Sequence, residues 1–415
     1  MIVRRFMQWA VTASAAERAS GAAKLAQAYL YSDLDDAERD EAEVALTALL
    51  DDASPHVRRA LAEVLGVSAG APHAIVVALA NDQSDISSIV LRHSPLLSDS
   101  ELIDCVAIGD AFAQASIALR PVVAAPLAAA LAEVGRCEAL IALAVNPYAE
   151  IPEFSARRMV ARFGHDAELR ESLLSRADLT PATRSDLVAA TAKALGDLVG
   201  ARGWLSHERM NRILRESCDK AHLIIAADTE LRDGFQAARA LTTHLRQSGQ
   251  LTSSLIMRAL LSGNRPLFEA AMVELGGLPE RKALGLLRQK RGDGFAALYR
   301  AANMPPALLP AFQAAVAAMA EMPSGTASAR LSRLAIERVL AACESINAGE
   351  LNALLALLRR FEAEAAREDA RAAVEELRAP PVELLPSFDP YAPPPVSPRR
   401  IIEIDLVKFE ADLAA

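Results

Sequence analysis

Aromatic residues are scarce here, 4% of 415 residues. A β-sandwich core draws on aromatic and β-branched side chains, so the scarcity argues against one, while abundant Ala and Leu suit closely packed helices. Cysteine is rare as well: Cys105, Cys137, Cys218 and Cys343 are scattered without a CxxC pair. That is the pattern of reduced thiols in a cytoplasmic protein rather than of a disulfide framework. No apolar window is long enough for a membrane-spanning helix. Arg4-Arg5 before Phe6 and Met7 has the look of a twin-arginine export signal, but the apolar run to Val11 is short and contains Gln8. The expectation is therefore a cytoplasmic location. Excess positive charge is missing too. A net charge of −9 argues against a dedicated phosphate-backbone binder, and few aromatics leave few stacking platforms for bases.

Chemistry-bearing motifs are equally thin. The chain lacks GxSxG, HExxH, a P-loop and a strand followed by GxGxxG. The acidic run Asp33 to Glu43 has no glycine for the sharp turn of a calcium loop. Carboxylate pairs such as Glu41/Glu43 and Glu362/Glu364 lie in charge-rich helical stretches, where exposure is expected. Cys218 and His222 stand at i, i+4, with His207 one helix earlier, but a zinc site needs three or four ligands and a break near Asp219 would misalign the pair. Neither metal nor cofactor is expected.

What the chain does have is a repeated unit. In Leu49 to Gly66, LLDDASPHVRRALAEVLG, Ser54 suits an N-cap and Pro55 the first helical position. Val57, Leu61, Val64 and Leu65 then form one buried stripe. Such a helix pair must stack on neighbours to gain a core. Looser copies follow at Asn81 to Ile86, near Asp110 to Ala115, at Asn146 to Ile151 and over residues 173–195. The fold expected is all-α: a HEAT-like α-solenoid, then a second all-helical block, then an extended Pro-rich tail. The boundaries are 1–31 for an opening helix, 32–200 for the repeats, 201–322 for the second block, 323–378 for a C-terminal helix pair and 379–415 for the tail. Within the second block, helices are expected at 204–218, 219–231, 233–247, 251–262, 265–275, 279–289, 293–302 and 305–321, punctuated by Gly and Pro. Residues 380–398 hold eight of the 22 prolines and read as a tether.

LLDDASPHVRRALAEVLG resembles a HEAT repeat, with Asp52, Val57 and Arg58 where that family favours Asp, Val and Arg. Ser87 and Pro152 stand at the equivalent arginine positions of later copies, so an unbroken arginine ladder is not expected. Several longer stretches are similar to the bacterial domain-of-unknown-function 2336 family: AYLYSDLDDAERDEAEVALTALLDDASPHVRRALAE, LRHSPLLSDSELI, NPYAEIP, LTSSLIMRALLSGNRPLFEAAMVELGGL and ALYRAANMP. That resemblance runs over roughly residues 20 to 320. It implies a HEAT-like helical scaffold and no established catalysis.

The best candidates for binding are arginines. Arg58, Arg157, Arg158 and Arg162 fall on second helices of repeat units, and Arg209 and Arg212 on the helix opening the second block. Lining a concave wall, they would capture an acidic protein segment. The plainer reading is local ion pairing, Arg59 with Glu63 and Arg212 with Glu216. In the tail, Ile402, Ile404 and Leu406 alternate as a strand would, whereas Leu406, Phe409 and Leu413 fit a helical stripe. The readings for this apolar motif are docking on its own chain, on a partner or on a second subunit, or disorder. Together these features favour a non-enzymatic protein-interaction scaffold. The alternative is a nucleic-acid-binding protein, since some HEAT-like bacterial enzymes are DNA glycosylases.

Overall fold

The computed structural model describes residues 2–289, 293–322, 329–344 and 351–378. Every regular element among them is helical, apart from a single parallel bridge between Val123 and Ala149. The opening stretch is two helices rather than one, α1 (Ile2–Ala10) and α2 (Ala15–Tyr31). Ser14 separates them: its side chain accepts from the Glu17 amide while Glu17 accepts from the Ser14 amide at 2.9 Å, a capping box. Asp35 and Glu38 start α3 (Asp36–Ala48) in the same way.

A short 3-10 turn, Leu49–Asp51, leads to α4 (Pro55–Leu65). Pro55 occupies the first position as expected, but the Ser54 side chain forms no cap. Asp52 instead fixes the turn before the helix, accepting from the Ser54 amide at 2.8 Å and from Arg18 at 2.7 Å. Val57, Leu61 and Leu65 are fully buried. There follow α5 (His73–Ala80), α6 (Ser84–His93), α7 (Asp99–Ile108), α8 (Ala111–Ala118), α9 (Ala125–Val134), α10 (Cys137–Val145), α11 (Glu153–Phe163), α12 (Ala167–Leu174) and α13 (Pro181–Arg202).

Helices α2, α4, α6, α8, α10 and α12 pack each on the next, and α7, α9, α11 and α13 form a second row. Asp110 caps α8 through the Ala113 amide and Asp166 caps α12 through the Leu169 amide, both at 2.9 Å. The turn expected near Asp110 is therefore present. The Asn146 copy is not in register with it, because Asn146 lies between α10 of one row and α11 of the other. Its side chain is a clip between loops, donating to the carbonyls of Ala118 at 2.9 Å and Arg120 at 2.8 Å and accepting from the Tyr148 amide. One apolar core runs from Ala22 to Leu187.

After Gly203, at φ +64, the chain reverses into α14 (His207–Gln247). Three helices were expected over this span, yet it is one. It contains no proline and one glycine, Gly234, so nothing interrupts the hydrogen-bond ladder. Beyond it lie α15 (Ser253–Ser262), α16 (Arg265–Gly276), α17 (Glu280–Leu287), α18 (Asp293–Ala301), α19 (Leu309–Ala320), α20 (Arg333–Glu344) and α21 (Leu351–Arg378). Gly263 and Gly277 end α15 and α16 in the left-handed conformation that glycine adopts without strain. A second core spans Leu223 to Ala365 and gathers several of the rare aromatics, Phe268, Phe295, Tyr299 and Phe312, at centroid spacings of 5.5–6.3 Å.

Residues Met1–Ala366 form one unit and Arg367–Ala415 another. In the second, the described helix end leaves Val374 and Leu377 exposed. The Pro-rich stretch and the terminal motif, with Ile402, Ile404, Leu406 and Phe409, lie outside the described residues.

Candidate functional site

The six arginines fall into two groups. Arg58 is engaged within the chain, pairing Nε with Asp82 at 2.6 Å and donating from Nη1 to the Asp52 carbonyl at 2.6 Å. Arg157 pairs with Asp186 at 2.9 Å and Arg158 with Glu133 at 2.7 Å. Arg162 donates to the carbonyls of Ala132 at 2.7 Å and Gly135 at 2.8 Å, the end of α9. These four therefore brace neighbouring helices. Arg209 and Arg212 are different: both are exposed on the first turns of α14, and Glu216, the partner expected for Arg212, is held instead by Arg360 at 2.8 Å. The local pair expected of Arg59 and Glu63 is present at 3.3 Å.

The braces recur at residues the sequence reading passed over. Arg120 donates to the carbonyls of Leu91 and Ser94 at 2.5 and 2.7 Å, closing the end of α6. Arg176 reaches the carbonyls of Ala144, Asn146 and Ala149 at 2.8–3.3 Å, beyond the end of α10. Each of these arginines follows the carbonyls it holds by 26–32 residues. That interval is the one signal that could have found them, since helix ends leave four carbonyls without intrahelical partners.

The second concentration of polar groups flanks α14. A cleft of about 560 Å³ is lined by Asn211, Cys218, Asp219, His222, Gln250 and Thr252, among others. Asp219, expected at a helix break, is buried in mid-helix, and burial pushes its carboxyl above the usual range while Thr252 donates to it at 3.2 Å. His222 is buried, with Nε2 3.1 Å from the Ser185 hydroxyl. Ser185 is also 3.4 Å from Gln250 Oε1, and His222 Nδ1 is buried without a partner among the described residues. Ser185 is itself fully buried, so this pairing has no access for a substrate. Among the described residues no group of three His, Cys, Asp or Glu is placed to hold a metal ion.

A family described as an uncharacterised protein conserved in bacteria, domain-of-unknown-function 2336, matches residues 86–349. The chain belongs to this family. No curated protein and no solved structure matches it. The family's span differs from that of the resemblance: it begins at α6, leaving LLDDASPHVRRALAEVLG outside, and it runs beyond α20. It contains the α13–α14 turn, the His222 cleft and three of the carbonyl braces, at Arg120, Arg162 and Arg176.

Burial of His222 beside the cleft is expected to make the fold sensitive to acid. Burial first, then the nearby His244, lowers His222 from its usual 6.5 to about 4. The unfolded chain then takes up a proton near pH 6.5 that the folded chain refuses until about pH 4. Stability is full above pH 6.5 and falls as pH drops through that window, by up to roughly 3 kcal/mol. Asp219, raised by burial, binds its proton more readily folded than unfolded and opposes the loss at the acid end. Urea titrations at pH 7 and pH 4.5 are expected to show this drop in the native chain. A His222→Asn variant should lose most of it.

Proposed function

We propose that the chain is a non-enzymatic protein-interaction scaffold of the cytoplasm, a HEAT-like α-solenoid that captures a protein partner through an acidic segment. One observation carries the reading: the even-numbered helices α2 to α12 and the odd-numbered α7 to α13 each pack on the next member of the same row, an arrangement by which solenoids make extended recognition surfaces. Exposed Phe112, Tyr148 and Phe154 add apolar contact area along these helices. The tethered terminal motif, carrying Ile402, Ile404, Leu406 and Phe409, is a second binding element in this reading, for a partner or for another copy of the chain.

Affinity capture of tagged full-length protein from its native host, with cross-linking, tests the scaffold. A dominant protein partner cross-linked to the helical unit is the expected result, and nucleic acid as the main eluate would overturn it. Deleting residues 380–415 tests the tail. The helical circular dichroism should persist while light-scattering mass or the captured partner changes. A truncated chain matching the full-length protein in both would remove the tail from the proposal.

A further inference from the structure

The α13–α14 turn projects side chains that no core absorbs. Leu195 and Leu198 on α13 are each 50% exposed, Ile213 on α14 is 42% exposed, and Trp204 in the connecting turn is 63% exposed. Scattered single apolar residues need no explanation; Leu198, midway between Gly196 and Gly200, points away from α14, but Leu195, Ile213 and Trp204 remain beside the turn as a candidate patch.

The contact line between the two helices decides which of them share a side. A Cβ built on Gly196 would stand 2.9 Å from Leu214 Cδ1, and one on Gly200 would stand 3.9 Å from Met210 Sδ. These pairs mark the seam of an antiparallel pair. Residues at the same angular offset from such a seam lie on the same side of it, as flanking positions do in antiparallel coiled coils. Leu195 and Val199 each precede a seam glycine, and Arg209 and Ile213 each precede a seam residue of α14. All four therefore share one side. Arg202, at i+7 from Leu195, joins them and lies 5.5 Å from the Trp204 ring.

The opposite side is polar. Asp197, Asn211 and Arg215 each follow a seam residue, and Glu208, two before Met210, turns the same way. The apolar side thus carries Arg202 and Arg209, and its one carboxylate, Glu216 at i+7 from Arg209, is already paired with Arg360 at 2.8 Å, so the face stays positive within a chain of net charge −9.

We propose that this side of the α13–α14 hairpin docks an acidic amphipathic helix of a protein partner. The inference rests on the scaffold reading and deepens it by naming the surface and the chemistry of the occupant. Two helices side by side, each with an apolar stripe, leave the open third place of a helical bundle, the helix-in-groove mode of recognition. Charge selects the occupant: a second copy would bring one arginine-bearing face against another, whereas glutamates flanking a leucine stripe meet Arg202 and Arg209 favourably.

The probe is a synthetic 18-residue peptide with leucines at i, i+3, i+4 and i+7 and glutamates elsewhere. The control is the same peptide with lysines for glutamates. Titrated into the full chain, the acidic peptide is expected to shift Trp204 fluorescence to the blue, a signal assigned by Trp204→Phe. Leu195→Asp with Ile213→Asp, and separately Arg209→Glu, should each weaken binding about tenfold or more. Asp197→Asn with Arg215→Gln on the polar side should leave it unchanged, which controls for damage to the hairpin. Binding that survives the apolar-side substitutions overturns this assignment while leaving the scaffold reading intact. So does equal binding of the basic peptide, preferential binding to phosphatidylglycerol vesicles, or a mass that doubles through this face.

Discussion

Replacing Glu364 by alanine is expected to destabilise the chain by about 3–5 kcal/mol, the usual cost of stranding a buried charge. Arg258 is only 3% exposed and donates two bonds to Glu364, at 3.0 and 2.8 Å, across 106 residues of sequence. The Phe361 ring lies 4.4 Å from its guanidinium carbon, and Arg258 Nε has no partner among the described residues. Removing the carboxylate therefore leaves a buried guanidinium without its hydrogen-bonded anion, with Asp219 nearby to offset part of its charge. Lys220, 2.8 Å from Glu364, stands at the surface end of the pair and can turn to solvent, as Arg258 cannot. Replacing both partners, Arg258→Met with Glu364→Leu, should recover much of the loss, because such a pair itself contributes little. Denaturant midpoints of the three chains at one pH check this. A single variant as stable as the parent would mean that Arg258 finds another anion.

Leu61→Ala is expected to cost about 2–5 kcal/mol through lost transfer energy and the cavity left behind. Leu61 has no exposed surface and sits in the core that runs from Ala22 to Leu187, which is distinct from the core of Leu223 to Ala365. Hydrogen exchange should accelerate mainly in α2 to α12. Even acceleration through α15 to α21 would show the two cores opening as one cooperative unit.

The helical class was legible because its signals are local. Pro55, Gly263 and Gly277 mark starts and stops by their own backbone preferences, and the stripe at Val57, Leu61 and Leu65 lies buried as its spacing requires. The capping box at Ser14 and Glu17 was equally local and was still passed over, hidden by apolar residues on either side. Register was harder. Asn146 imitates the polar turn residue of the other copies while serving as a clip between loops, and sequence alone does not say which row the next helix joins. Continuity of α14 was obscured by Asp219, a poor residue for a helix interior that is stabilised by Thr252, 33 residues away. Glu364 was expected in water for a similar reason: its cation lies in α15, and nothing near it in sequence announces the pair. The arginines show the same limit. Charge pattern singled out Arg58 and Arg209 alike, yet a carboxylate 24 residues distant occupies the first and leaves the second open.

The carbonyl braces give the array a direction in time. The end of α6 is closed by Arg120, the end of α9 by Arg162 and the stretch after α10 by Arg176, in each case by a residue synthesised later. At typical elongation rates, about 30 residues take roughly 2–6 s to emerge from a ribosome, and for that interval a nascent helix end keeps water on its carbonyls. These three ends are thus finished by a later helix or turn, so a chain interrupted before Arg120, Arg162 or Arg176 leaves the end that arginine would close still waiting for its clasp.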